Sequence, residues 1–270
     1  MDNIRSQLLA RAVLALRMQQ FAEAEQLASE LLKANRTNTA GISILARALL
    51  AQNRGAEAIA PLERAVRRGS EPEIEMLLGA ALGSAGRGAE AIDQLRKATS
   101  RRPAFLPAFQ ELAGQLARAG DFGQAIAVLE SALQLVPGNV NLLLDLARLY
   151  MARNDRPKAR SILNVVREAA PGSPEILTEL ARAMLLDGEY AAAAGAYRHA
   201  LALRPDDALT RADLGACLLE MGEREAGEAT LRSALRGRPQ MLARATYALA
   251  AASHGRFFFR PSAASKFLES

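Results

Sequence analysis

Apolar residues recur along this chain at helical spacing, in short stretches separated by polar turns. Leu45, Leu78, Leu112, Leu146, Leu180 and Leu214 each have a partner four residues on, at Leu49, Leu82, Leu116, Tyr150, Met184 and Leu218. Each pair therefore shares one face of a helix. Small residues keep the same beat at three further places. One falls in the first helix of each unit, at Ala12, Ala46, Gly79, Ala113, Ala147, Ala181 and Gly215. A second falls early in the following helix, at Ala24, Ala58, Ala91, Ala125, Ala159, Ala193 and Gly227. A third falls late in that helix, at Ala65, Ala98, Ala132, Val166, Ala200 and Ala234. Small side chains at fixed positions let two helix backbones approach closely, so the pattern predicts helices in pairs.

The turns repeat as regularly. Pro103, Pro137, Pro171, Pro205 and Pro239 lie 34 residues apart, each after a second helix that it helps to stop. Gly86, Gly120, Asn154, Gly188 and Gly222 keep the same interval between the two helices. Glycine, or asparagine in its place, tolerates the left-handed conformation that ends a helix. Asn139, Ser173 and Asp207 precede first helices, where a side-chain oxygen can cap free amides. Caps, breakers and apolar spacing all agree.

The combined pattern resembles the tetratricopeptide repeat, a helix–turn–helix unit of 34 residues with small residues at those three places and proline near its end. Seven copies are expected, at 5–38, 39–71, 72–105, 106–139, 140–173, 174–207 and 208–241. The resemblance implies an all-α, right-handed superhelical solenoid. An eighth copy starts and fails. Residues 242–255 read as a C-terminal solvating helix, and 256–270 as a basic, Phe-rich tail or cap. Pro261 would break a normal second helix and is expected to open a short one running to Leu268. Four residues depart from the pattern: Arg11 for leucine, Leu31 for alanine, and Glu75 and Arg211 where a large apolar residue is usual. A first repeat with one face in water accounts for Arg11 but not for Glu75.

Composition narrows the function. Aromatics are only 4% and tryptophan is absent, which suits helices rather than strands. The single cysteine, Cys217, excludes an internal disulfide and a cysteine-rich metal site and fits a reducing cytoplasm. Arg5, Arg11 and Arg17 interrupt the N-terminal apolar stretch, against a signal peptide. No run is long enough to span a membrane. Lys33, Lys97, Lys158 and Lys266 are the only lysines; with the arginine and alanine excess they point to a GC-rich, bacterial genome. Residues 231–270 hold seven basic residues against Glu269, a net of +6, so the preceding residues net −1. Attraction to acidic partners or lipid should concentrate at the C-terminal end.

The resemblance places the candidate site on the inner surface of the first helices, where members of this family hold a protein segment. That surface here presents Arg17, Arg47, Arg118, Arg148 and Arg182 among Leu9, Leu50, Met76, Met151 and Leu185. Arginine with Leu and Met suits an acidic, partly apolar segment. The competing reading is a solvated face neutralised by Asp145, Glu175 or Glu179. The carboxylate clamp of some family members is not reproduced, because its places hold Leu9, Val13, Ser43, Arg47, Met76 and Ala80. A second candidate is the tail, where Phe257, Phe258 and Phe259 lie between Arg256 and Arg260. They either fold over the open end of the stack or anchor it to a partner or an acidic membrane surface. No catalytic or metal-ligand constellation appears: His199 and His254 are the only histidines and are far apart. No cofactor is expected. Scarce aromatics on the inner surface argue against nucleic acid. The expected function is a non-catalytic scaffold or adaptor with a protein partner. The alternative is an accessory subunit of a bacterial enzyme or of an envelope or export assembly, held at a membrane surface by the tail.

Overall fold

The computed structural model describes residues 2–69, 71–256 and 260–269. Among these residues the chain is all helix and turn. In chain order the α-helices are α1 (Asp2–Arg17), α2 (Phe21–Ala34), α3 (Thr39–Ala51), α4 (Gly55–Arg68), α5 (Pro72–Ser84), α6 (Gly88–Ser100), α7 (Leu106–Arg118) and α8 (Phe122–Leu135). They continue with α9 (Val140–Ala152), α10 (Arg156–Ala169), α11 (Pro174–Leu186), α12 (Tyr190–Leu203), α13 (Ala208–Glu220), α14 (Arg224–Leu235), α15 (Leu242–Ala251) and α16 (Pro261–Glu269). Consecutive helices pair into hairpins. The chain divides between Gly138 and Asn139 into two compact units. The first holds the hairpins α1/α2 to α7/α8, the second α9/α10 to α15/α16.

Each of the first seven hairpins turns on one hydrogen-bonding device. The residue two positions before the second helix has a positive φ: Gln19 (57°), Asn53 (59°), Gly86 (79°), Gly120 (82°), Asn154 (61°), Gly188 (78°) and Gly222 (81°). The next amide then reaches back to a carbonyl five residues earlier, as in Arg87 to Leu82 at 2.9 Å and Asp155 to Tyr150 at 2.8 Å. The same bond closes the turns at Gln20, Arg54, Asp121, Glu189 and Glu223. This is the Schellman closure, which satisfies a carbonyl that the helix end would leave free. The sequence pattern marked five of these positions. Gln19 and Asn53 do the same work in the first two hairpins, Asn53 with a side chain suited to it and Gln19 with one less so.

The caps agree with expectation at Asn139, which accepts from the Leu142 amide, and at Asp207, which accepts from the Thr210 amide, both at 3.1 Å. Ser173 is a correction: its hydroxyl donates to Glu175 at 2.9 Å and caps nothing. The carboxylate of Glu175 is already placed beside the helix N-terminus, where it accepts from its own backbone amide and draws the Ser173 hydroxyl to it as a charge-assisted donor. Asn38 and Asp121, which the pattern did not mark, also cap helices.

The small positions and the leucine pairs line the contacts between helices and are buried, apart from half-buried Leu45 and Met184. Against them stands one large side chain from each second helix: Leu27, Leu62, Leu95, Leu129, Leu163, Tyr197 and Leu231, all buried. The fit is tight. A Cβ on Gly215 would lie 2.8 Å from Leu231 and one on Gly227 2.8 Å from Leu219. Each of these glycines also sits close to the other's carbonyl oxygen, so α13 and α14 meet backbone to backbone.

Two departures from the pattern are explained by polar partners. Glu75 is buried within α5, and its carboxylate accepts from the Arg101 guanidinium at 2.7 Å. Arg101 follows α6, so the apolar contact between the helices of this hairpin is exchanged for a charge-assisted bond. Arg211 donates to the Pro205 carbonyl oxygen and lies half-buried against the preceding turn.

The failed eighth copy is rebuilt at the end of the second unit. After α14 a short 3₁₀ turn (Pro239–Met241) leads into α15, and α16 starts at Pro261. Both helices pack on α14 and on each other. Leu249 and Leu268 are fully buried with Leu219, Leu231 and Ala245. The Phe267 ring carries the guanidinium groups of Arg232 and Arg256 at 4.4 Å and 4.8 Å from its centre. Arg256 also pairs with Glu228 at 2.6 Å.

The packing generates two predictions. Gly215→Ala or Gly227→Ala should cost about 1–3 kcal/mol by overpacking. Gly195→Ala, on an exposed position with open space around it, should stabilise by about 0.5–1 kcal/mol. Urea unfolding monitored by circular dichroism checks both signs. Leu268→Ala should cost about 2–5 kcal/mol and raise amide exchange in α14 and α15. Unchanged exchange there would mean that α16 seals nothing.

Candidate functional site

The first helices of each unit line an open cavity. In the first unit it has a volume of about 660 Å³. Leu9, Val13 and Ile44 form its apolar lining, and Arg17, Arg47 and Glu73 its charged one. In the second unit the cavity measures about 480 Å³ and lies among α11, α13 and α15. Leu185, Leu186, Tyr190 and Tyr247 supply most of its apolar surface, with Arg182 and Arg244 beside them.

The arginines of the expected inner surface separate into two kinds. Three are taken up by neighbouring carboxylates. Arg47 pairs with Glu73 at 2.9 Å and Arg118 with Glu111 at 3.1 Å. Arg148 pairs with Glu179 at 2.7 Å and Asp145 at 3.2 Å. Glu175, the third acid expected to neutralise this face, pairs instead with Arg204 outside it. Among the described residues, Arg17 and Arg182 have no ion pair or side-chain hydrogen bond. The reason at Arg182 is legible in the repeat. Asp213 stands one repeat after Glu179, where it would receive Arg182 as Glu179 receives Arg148. Its carboxylate goes to Arg244 instead, at 2.5 Å.

The apolar candidates also divide. Met76 is a correction: it is 9% exposed, buried in α5, and cannot meet a partner. The small residues around it draw this helix deep into its neighbours. Leu9, Leu50, Met151 and Leu185 are half-buried. Tyr247, 74% exposed, was missed. It sits in α15, read as a solvating helix, yet it holds the place in the repeat that Asp213 holds in α13. That register was the signal. Of the tail residues, Phe257, Phe258 and Phe259 lie outside the described residues. Arg256 is tied to Glu228 and Phe267, and Arg260 is exposed.

Local fields follow from burial and pairing. Burial pulls the Glu73 carboxyl up. The Ser43 hydroxyl (2.6 Å) and Arg47 more than offset that pull, and it ends below its ordinary 4.5. Burial pushes the Asp213 carboxyl above its ordinary value, with the Arg244 bond acting against it. Burial pushes the Cys217 thiol up to about 12, with Asp213 adding to it, so it is not a thiolate at neutral pH. The buried Tyr197 hydroxyl has no hydrogen-bond partner among the described residues, and burial raises it further from ionisation. Among the described residues no group of three His, Cys, Asp or Glu could hold a metal ion, and no helix is long and apolar enough to cross a membrane.

Hairpins of two helices, repeated at a fixed interval and presenting a cavity on their first helices, define a helical-repeat protein. Models of the tetratricopeptide repeat match residues 15–81, 116–183 and 184–252, and another matches residues 76–140. The chain therefore belongs to the tetratricopeptide repeat family, whose repeats serve protein interaction. No curated protein matches it. Among solved structures it is similar to a tetratricopeptide repeat protein from Parabacteroides merdae ATCC 43184, at 14% identity over 90% of this chain and 98% of that one (TM-score 0.69). It is also similar to Pseudomonas aeruginosa pilF, at 17% identity over 76% and 93% of the two chains (TM-score 0.58). A chain of the APC/C hetero-tetramer Cut9–Hcn1 matches at 18% identity over 97% of this chain (TM-score 0.62), and this chain spans 55% of its length. At such identities the likeness concerns the fold.

The Glu73 site predicts a pH dependence. A carboxyl held below 4.5 in the folded state stabilises the fold above that pH, and its contribution is lost as pH falls through the lowered value. Ser43→Ala removes one of the bonds that lower it. Thermal melts from pH 6 to 3 should show the variant below wild type at pH 6, with the gap closing toward pH 3. A constant gap would assign the loss to packing alone.

Proposed function

We propose that this chain is a non-catalytic scaffold that holds partner-protein segments on the first-helix cavities of its two units. The observation that carries the reading is the pair Arg17 and Arg182. Each unit keeps one guanidinium without a direct ion pair at the wall of an apolar cavity, Arg182 being felt by Asp213 only through space. Other arginines of the same surface are neutralised within the fold. An arginine left in this state forms strong bidentate bonds to an incoming carboxylate. The adjacent leucines and Tyr247 offer apolar area to a neighbouring side chain. The partner segment is therefore acidic and partly apolar. Repeat packing forms the cavities before binding, so little ordering cost falls on the scaffold.

Arg17→Glu and Arg182→Glu should each weaken partner capture, and the double variant should lower affinity by at least about tenfold, while its circular dichroism spectrum stays helical. Arg118→Glu should instead lower the melt, because it sets two acids against each other. Affinity capture from the source cells, followed by titration of the captured partner against each variant, makes the comparison. Equal affinity for the wild type and the double variant would remove the first-helix reading.

A further inference from the structure

A second cavity in the second unit, of about 380 Å³, shares no residue with the first-helix cavity. It is framed by α14, the turn that follows and α16. Leu235, Leu242 and Leu268 supply its apolar side, and Arg232, Arg236 and Arg238 stand around it. The one acid among its described lining residues is Glu269. The three arginines differ in how far they are satisfied. Arg232 is held in place: its Nε donates to the Phe267 carbonyl oxygen at 3.2 Å, and its guanidinium lies over the Phe267 ring. Its carboxylate partner, Glu228, is 3.9 Å away and is shared with Arg224 and Arg256. Arg238 donates to the Asp206 carbonyl oxygen at 3.1 Å, a contact that fixes the side chain without cancelling its charge. Arg236 is exposed and has no partner among the described residues.

The fold therefore concentrates three guanidinium groups around a cleft that offers them little anionic compensation, in the part of the chain that carries its excess positive charge. Repulsion between them is relieved when an anion enters. The geometry points to this cleft as a second docking site, separate from the first-helix cavities, for an acidic peptide segment that combines carboxylates with a leucine-like side chain. The carboxylates meet Arg236 and Arg238 as paired N–H donors, and the apolar side chain covers Leu235 and Leu242. A concave cleft with an apolar floor selects a side chain. A flat array of lipid headgroups makes no use of that floor. This site does not rest on the first-helix reading.

The test uses the full chain and fluorescein-labelled Glu-Glu-Leu-Glu-Glu, with Gln-Gln-Leu-Gln-Gln as control, read by anisotropy at low and physiological salt. Vesicles of one part phosphatidylglycerol to three parts phosphatidylcholine form a separate arm. Wild type should bind the acidic peptide and not the glutamine peptide. The Arg236→Glu/Arg238→Glu variant should bind it at least about tenfold more weakly. Arg17→Glu/Arg182→Glu, which removes any binding at the first-helix cavities, should still bind the acidic peptide, and adding Arg236→Glu/Arg238→Glu to it should abolish that binding. Circular dichroism melts confirm that both variants fold, and Arg236→Glu alone, at an exposed position, repeats the test if the double variant does not. Equal binding of both peptides overturns the proposal, as does loss of binding in the Arg17/Arg182 variant alone. Capture of the anionic vesicles without capture of the peptide overturns it in favour of lipid.

Discussion

The hairpin turn is the constraint on which the rest of this protein depends. A single left-handed residue, followed by an amide that reaches five residues back, reverses the chain in the same way at Gln19 and at Gly222. Because the closure is identical, every second helix returns along its first helix in the same register. Small positions then recur opposite a large side chain of the second helix, as Gly79 meets Leu95 and Gly215 meets Leu231. A change in turn geometry in one hairpin would rotate the second helix and present polar residues to the neighbour. Glycine meets the conformational demand without strain, and asparagine at little cost.

Register has a functional consequence. Side chains that do not enter the helix contacts are delivered to the first-helix face at equivalent places, repeat after repeat. Charge on that face is then decided by pairing between adjacent repeats. Arg148 reaches forward to Glu179. At the next step Asp213 turns to Arg244, and Arg182 is left over. The unpaired guanidinium arises here because Asp213 does not receive Arg182 as Glu179 receives Arg148. Glu75 shows the opposite case. A carboxylate placed where the pattern wants an apolar side chain stays buried because Arg101 follows it from the adjoining helix. The carboxylate is then satisfied, and the hairpin keeps its spacing.

The C-terminal end solves a problem common to stacked repeats: the last unit exposes an apolar face. Here α15 continues the stack, and α16 supplies Leu268 and Phe267. Two arginines are recruited over the Phe267 ring to shield it. That shielding also gathers positive charge at this end of the second unit.

The sequence by itself determined the helices, their pairing, the turn residues and the positions that must be small, because each is a local demand that recurs at one interval. Ala12, Gly79 and Gly215 could be assigned to helix contacts without coordinates for that reason. Its register also put Arg17 and Arg182 among the residues that line the first-helix cavities. It could not tell them from Arg47, Arg118 and Arg148, because an ion pair depends on which rotamers two helices bring within reach. Met76 was misplaced because depth within a helix contact depends on the neighbour's volume. Tyr247 was overlooked because a solvating helix and an eighth first helix look alike until their packing is seen. The division between Gly138 and Asn139 was likewise beyond the periodic signal, which runs through that point unbroken. Local periodicity fixed what each segment becomes. Tertiary contact decided which charges were left without an ion pair, since neutralisation is settled by distance in space.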